Sequence, residues 1–232
     1  MRGRRTRRRI TKMTPIMDTD RNWIVVRIDG KLAGISKDYG RLAEISARIT
    51  PESRHQDTLK RRKSARQQGG LPYGEISAKA VTFEEVLALR ESAVWDDFIL
   101  FGTDFQKRVW KTLWELTHPD SSPSDPAGHD PHIARLVSYS DFAGLCENRA
   151  GVRAVAHAVG LNPLPVVIPC HLVVPKEAID KIREIQRKAE TTLFRGEDLC
   201  RTSILRDQTI DFGDYALGRA LKRSLISNDI AE

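Results

Sequence analysis

Long apolar runs are missing from this chain. No stretch approaches the roughly 18 consecutive apolar residues that a membrane-spanning helix needs, so no membrane span is expected. The start of the sequence lacks the apolar core of a secretory signal, so none is expected there either. Cysteine is scarce. Cys146, Cys170 and Cys200 are too few and too scattered for a disulfide framework, which favours a reducing, intracellular setting. Which compartment that is, the nucleus or the cytoplasm and nucleoid of a bacterium, depends on the organism. Acidic residues are outnumbered: the formal net charge is +7, which favours a polyanionic partner.

What is present is an ordinary globular composition, 40% hydrophobic and 30% charged over 232 residues. That length allows one large domain or two small ones, with enough core to fold without staples. The positive charge is uneven. "RGRRTRRR" (2–9) holds six arginines, and Lys60, Arg61, Arg62, Lys63 and Arg66 form a second run. Residues 1–20 are expected to be a basic arm outside the packed fold. Both runs are read either as solvated segments or as auxiliary phosphate-binding or nuclear-targeting arms.

"NWIVVRIDGKLAGIS" (22–36) predicts a hairpin, with Asp29-Gly30 suited to a tight primed turn. Residues 51–73 read as a long polar loop. "TFEEVLALRESA" (82–93) predicts a helix capped by Thr82, with Glu85 completing a capping box. No cluster of His, Cys or carboxylates marks this first block as a site of chemistry. "FGTDFQKRVWKTLWEL" (101–116) opens with the same device, Thr103 and Gln106, and sets Phe105, Val109, Leu113 and Leu116 on one face. "THPDSSPSDPAGHDPH" (117–132) must be a loop, and its His129 and His132 lack a second ligand pair for zinc.

"VSYSDFAGLCENRAGVRAVAHAVGLNP" (137–163) predicts two short helices. Ser138 caps the first with Asp141 at the capping-box position, "ENRAG" is the turn, and Gly160 with Asn162-Pro163 ends the second. The second helix is built from Ala, Val and Gly, so it can approach another surface closely. Composition alone leaves open whether that surface is a neighbouring helix or a DNA minor groove, and favours packing.

"VVIPCHLVVP" (166–175) then sets a titrating pair in an apolar run. An unperturbed cysteine is only about 3% thiolate at neutral pH, and an imidazole in reach can accept its proton. Neighbouring side chains on a strand point to opposite faces, so the pair needs a turn at Pro169 or a bridging water. On the dipeptide alone, a core cysteine beside a surface histidine is an equal reading.

"IPCH", preceded in order by "SY", "RAV" and "NP", resembles the O6-alkylguanine-DNA alkyltransferases, the methylated-DNA–protein-cysteine methyltransferases. "FGTDFQKRVWKTLWEL" resembles their first C-domain helix, and "DYALGRALKRSLI" (214–226) their closing segment. The resemblance covers most of residues 100–232. It implies an α+β fold: a small N-terminal ribonuclease H-like α/β domain (21–99) and a C-terminal winged helix–turn–helix-like alkyltransferase domain (100–232). It implies DNA repair by direct damage reversal, in which Cys170 accepts the alkyl group from O6-alkylguanine in double-stranded DNA once and irreversibly. By the same resemblance His171 is the general base, acting through a water. Counting from Lys222, Asp229 is the carboxylate that orients it, in place of the usual glutamate, with Glu232 as the fallback. Tyr139 helps rotate the nucleotide outward and donates to the base. Arg153 fills the vacated stack, with Ala154 beside it in the DNA-binding helix. Asn162 ties that helix to the active-site turn, and Pro165, Val173, Tyr215 and Ala216 form the guanine pocket and its lid. No cofactor or metal is implied, the N-terminal block having no cysteine for a structural zinc, and a monomer is expected.

The chain departs from the family pattern at three places. Leu172 stands where an arginine is usual, and His157 where glycine or alanine is. Residues 176–212 form a long insertion whose "AIDKIREIQRKAETTLF" (178–194) predicts a charged helix, expected to be solvated rather than a modifier of the lid. Two other classes compete: a lesion-binding protein without transfer, which Cys170 argues against, and a helix–turn–helix regulator indifferent to Cys170.

Overall fold

Asp29 (φ 50°) and Gly30 (φ 80°) both stand in the left-handed region, the conformation of a type I′ turn. They join β1 (Trp23–Ile28) to β2 (Lys31–Ser36), as the dipeptide predicts. The computed structural model describes residues 21–37, 75–118, 136–191, 203–204 and 206–231. The arginine-rich arm, the second basic run, the 51–73 loop, His129, His132, Cys200 and Glu232 lie outside the described residues.

β3 (Ile76–Val81) pairs antiparallel with the other edge of β1, giving the order β2-β1-β3. Alternation along β1 sends Trp23 and Val25 to one face and Ile24, Val26 and Ile28 to the other. The first face meets α1 (Phe83–Ser92), where Trp23 stacks on Phe83 at 5.4 Å between ring centroids. The second face is covered by Ile99 and Phe101. Thr82 and Glu85 close the expected capping box on α1, and Thr103 and Gln106 close the other on α2 (Asp104–Glu115). On α2, Val109 and Leu113 are buried as predicted, while Phe105 and Leu116 are only half-buried. Trp110 and Trp114 widen that stripe into the core.

β4 (Val137–Ser138) leads into α3 (Tyr139–Leu145). Ser138 Oγ accepts from the Asp141 amide at 3.1 Å, as expected of a cap. Its hydroxyl also donates to the Asp141 carboxylate at 2.6 Å, which takes the place of the return bond to the backbone. Glu147 (φ 55°) turns the chain, and the Asn148 amide bonds back to Ala143 O at 2.8 Å. After a 3-10 turn at Arg149–Gly151 comes α4 (Val152–Gly160). Trp110 Nε1 donates to Ala158 O at 2.8 Å and holds α4 against α2.

β5 (Val173–Val174) pairs parallel with β4, Val137 opposite Val173. It is followed by α5 (Lys176–Thr191) and, after residues 203–212, by α6 (Arg219–Ala231). Here the structure corrects an expectation: α5 is not a solvated appendage. Ala178, Ile179 and Ile182 are buried in a second core with Leu172, Val174, Ile204, Ile210, Phe212 and Ile226. Recurrence at i, i+3/i+4 and i+7 gives α5 one apolar face despite its many charges, and Ile185 extends it.

The main core runs through the whole described chain, joining Trp23, Ile35 and Phe83 to Trp110, Val155 and Ile168. Two backbone bonds stitch it, Ile35 N to Pro163 O at 2.9 Å and Ile99 N to Leu32 O at 2.8 Å.

Candidate active site

Among the described residues the buried polar side chains are Ser36, Ser138, Asn162, His171 and Lys222. A buried polar group demands an explanation where a buried apolar one does not. Asn162, His171 and Lys222 all bond to the segment 162–173 or to the helix packed on it.

That segment is a chain of tight turns. The Leu164 amide bonds to Asn162 Oδ1 at 3.0 Å, Ile168 N to Leu164 O at 2.8 Å, and Cys170 N to Ile168 O at 2.8 Å. Val166 sits between them at φ 75°, a conformation that a β-branched residue adopts at a cost of about 1–3 kcal/mol. Such strain persists only where the surroundings over-determine it, and here Pro165, Val166, Val167 and Ile168 are all buried. Pro169 then begins a 3-10 turn, Cys170–Leu172, so Cys170 and His171 are not on an extended strand. The turn that the adjacent pair requires is therefore present.

Cys170 is 6% exposed. Asn162 Nδ2 donates to its Sγ at 3.1 Å while also donating to Ile168 O at 2.8 Å, and Tyr215 Oη lies 4.0 Å from the sulfur. A side-chain N–H aimed at sulfur stabilises the anionic form more than the neutral one.

His171 has no exposed surface, and its Nε2 lies 2.7 Å from Asp229 Oδ2. An ionised carboxylate only accepts, so Nε2 carries the proton of the neutral ring and Nδ1 is left with the lone pair. His171 Nδ1 is buried with no protein hydrogen-bond partner among the described residues. Burial holds the imidazole below its ordinary value, Asp229 opposes that, and Arg90 and Lys222 reinforce it. Asp229 is lowered: burial works against ionisation, but His171 and Arg90 outweigh it. The aspartate, one methylene shorter than glutamate, does reach its histidine. Its second oxygen, Oδ1, accepts from Arg90 Nη1 at 2.7 Å.

Lys222 is 1% exposed, its Nζ donating to Val173 O at 2.8 Å and to Asp214 O at 3.3 Å. Burial pulls the ammonium down to about 8. It also lies 5.9 Å from the Tyr139 ring centroid. Burial, then Cys170 and Asp214, push the Tyr139 phenol up, so it stays protonated at neutral pH and can donate. The Tyr215 ring meets His171 edge-on at 6.4 Å.

The structure thus brings Cys170, His171, Asn162, Asp229 and Tyr215 together, with Tyr139 reached through Lys222. Pro165 and Val173 are buried, whereas Ala216 is exposed. Arg153, Ala154 and His157 share the exposed face of α4 with Gly160. Two participants escape the sequence reading. Lys222 enters it only as a landmark, although a lysine inside the apolar pattern "ALKRSLI" is a signal. Arg90 has no local signal at all, since its partner lies 139 residues away.

Residues 132–194 match the family described as "6-O-methylguanine DNA methyltransferase, DNA binding domain". A probable methylated-DNA–protein-cysteine methyltransferase of Acanthamoeba polyphaga mimivirus is 38% identical over 80 residues, covering 34% of this chain and 44% of that protein. The methylated-DNA–protein-cysteine methyltransferase of Saccharomyces cerevisiae is 33% identical over 99 residues, 43% of this chain and 44% of that protein. The inducible one of Bacillus subtilis is 36% identical over 75 residues, 32% of this chain and 34% of that protein. The chain thus spans less than half the length of each of these relatives. A solved O6-methylguanine methyltransferase of Mycobacterium tuberculosis aligns at TM-score 0.36 and 23% identity over 64% of this chain and 62% of that one, too loosely to carry an argument.

Proposed function

We propose, on the premise that residues 132–194 carry the DNA-binding domain of the 6-O-methylguanine DNA methyltransferase family, that this protein repairs alkylated DNA by moving the alkyl group onto Cys170. The single observation that carries the reading is the cysteine's setting. A buried thiol accepts a hydrogen bond from Asn162 and directly precedes a buried His171–Asp229 pair.

In this reading His171 Nδ1 takes the thiol proton through a water, and the thiolate attacks the alkyl carbon attached to O6 of guanine. The S–C bond forms as the C–O bond breaks, and the leaving guanine takes the electron pair and is protonated, with Tyr139 as the donor. The thioether is not reversed, so each molecule reacts once and needs no cofactor. A base inside a duplex cannot reach a buried thiol, so the nucleotide must be flipped, at a cost of a few kcal/mol. The exposed face of α4 fits that task. Ala154 and Gly160 allow close approach to a minor groove, and Arg153 can occupy the vacated stack. The finer architecture follows the same reading: a ribonuclease H-like first block (21–99), a winged helix–turn–helix second block (100–232), a monomer, and an intracellular site of action.

The test is to incubate the full chain with duplex carrying O6-methylguanine and map the mass of the Cys170 peptide. The expected result is a one-methyl gain on Cys170 and loss of the lesion, with Cys170→Ala binding the duplex but transferring nothing. An unmodified peptide with the lesion intact would refute the reading.

A further inference from the structure

The residue whose position the proposed chemistry leaves unexplained is Arg90. It lies in the last turn of α1, where a cation is favoured simply by the helix dipole. That role needs no long-range partner. Yet the side chain is 18% exposed and reaches across 139 residues to Asp229, itself 8% exposed, to make a 2.7 Å contact.

We infer that Arg90 is a positioning residue for the proposed transfer, which holds Asp229 on His171 and keeps the buried pair from taking up a proton. The inference rests on the reading of Cys170 as alkyl acceptor. The argument is one of charge balance. Arg90 is a cation, Asp229 an anion and His171 a neutral ring, so the buried trio is neutral. Without Arg90 the pair alone would carry one negative charge in a low-dielectric pocket, and the least costly response is to bind a proton. That proton goes to His171 Nδ1, the atom the proposed base must keep free.

Of the other charged or titratable groups nearby, Lys222 also disfavours a proton on His171, but its hydrogen bonds go elsewhere than Asp229, so it does not hold the carboxylate in place. Lys222 Nζ from α6 is committed to Val173 O and Asp214 O, and Asp214 is ion-paired with Arg219. Tyr139 stays neutral, and Tyr215 meets the His171 ring only edge-on. Arg90 is also the one guanidinium that the first block sends into the site among the described residues, so that block acts on the chemistry although it contains no reacting group.

The experiment measures the single-turnover rate of methyl transfer to Cys170 between pH 5 and 8 for the full chain, Arg90→Gln and Arg90→Lys, after melting curves show which variants are folded. Arg90→Gln is expected to slow transfer roughly 10- to 100-fold at pH 7. It should also move the acid limb of the profile up by about one pH unit or more. Arg90→Lys, which keeps the charge, should leave the limb near its original place. In an Asp229→Asn background Arg90→Gln should not slow transfer further, because the carboxylate through which Arg90 acts is already gone. An unchanged profile in folded Arg90→Gln overturns the proposal, and so does a slower rate with an unmoved limb, which is a packing effect alone. In the unmutated chain the Arg90 guanidinium NMR signals should follow the same pH midpoint as the His171 ring, and independent midpoints overturn the proposal even where a variant does not fold. Alkylation of Cys170 by iodoacetamide reads the same limb without DNA. It therefore separates failure of this proposal from failure of the alkyltransferase reading.

Discussion

Asp229 Oδ2 accepts from His171 Nε2 at 2.7 Å while Asp229 Oδ1 accepts from Arg90, so each oxygen of one buried carboxylate is used once. Asp229→Asn breaks this symmetry. The amide must turn its oxygen to the guanidinium, which only donates, and therefore presents its NH2 to the imidazole. The ring is then forced to carry its proton on Nδ1, the wrong tautomer for a base. Transfer to Cys170 should fall on the order of 10²–10⁴-fold with the fold retained. Nitrogen-15 shifts of the His171 ring, read beside the rate, check the tautomer directly.

Asn162→Ala removes three bonds at once. It leaves the Leu164 amide buried without its acceptor, removes one of the two donors to the Ile168 carbonyl (the Cys170 amide remains), and takes the N–H donor from Cys170. The orphaned amide costs about 1–3 kcal/mol and the other lost bonds about 0.5–1.5 kcal/mol each, so urea denaturation should show a loss of roughly 2–4 kcal/mol. Thiol reactivity at neutral pH should fall as well.

Leu172 has no exposed surface and packs in the second core with α5 and Ile226. Leu172→Ala should destabilise by about 2–5 kcal/mol. Leu172→Arg, which introduces the residue usual at this place in the alkyltransferases the sequence resembles, should be worse than Leu172→Ala because it buries a charge without a partner. Equal stability of Leu172→Arg and the parent chain in urea would contradict the packing described.

Lys222 titrates near 8 in the fold against 10.5 in the open chain. Between those values the unfolded state holds the proton and the folded state does not, so stability from this group rises with pH across the window. The linked change is roughly 3 kcal/mol. Lys222→Met should abolish the rise, and the stabilities of the two proteins should diverge by about 2 kcal/mol between pH 7.5 and 10.

Much of this was legible in the sequence because its causes are local. Asp29-Gly30 requires a primed turn, and Thr82 with Glu85 requires a helix start. Cys170-His171 after a proline admits a turned pair, which the 3-10 turn Cys170–Leu172 supplies. Asp229 is reached through the family resemblance, by counting from Lys222, with Glu232 as the alternative. What was not legible depends on distant partners. The charges of α5 concealed an apolar face that acquires meaning only once Leu172 and Ile226 are placed opposite it. An arginine in the last turn of α1 looks like any other until the fold carries Asp229 to it.

The shared main core makes the two blocks interdependent in unfolding. Trp23 and Phe83 at one end of the sequence belong to the same continuous core as Val155 and Ile168 toward the other, so opening either block exposes part of the core they share. Hydrogen exchange at β1 amides and at α2 amides should therefore report a single cooperative opening event, and cutting the chain near residue 99 should leave two fragments that each lose their protection.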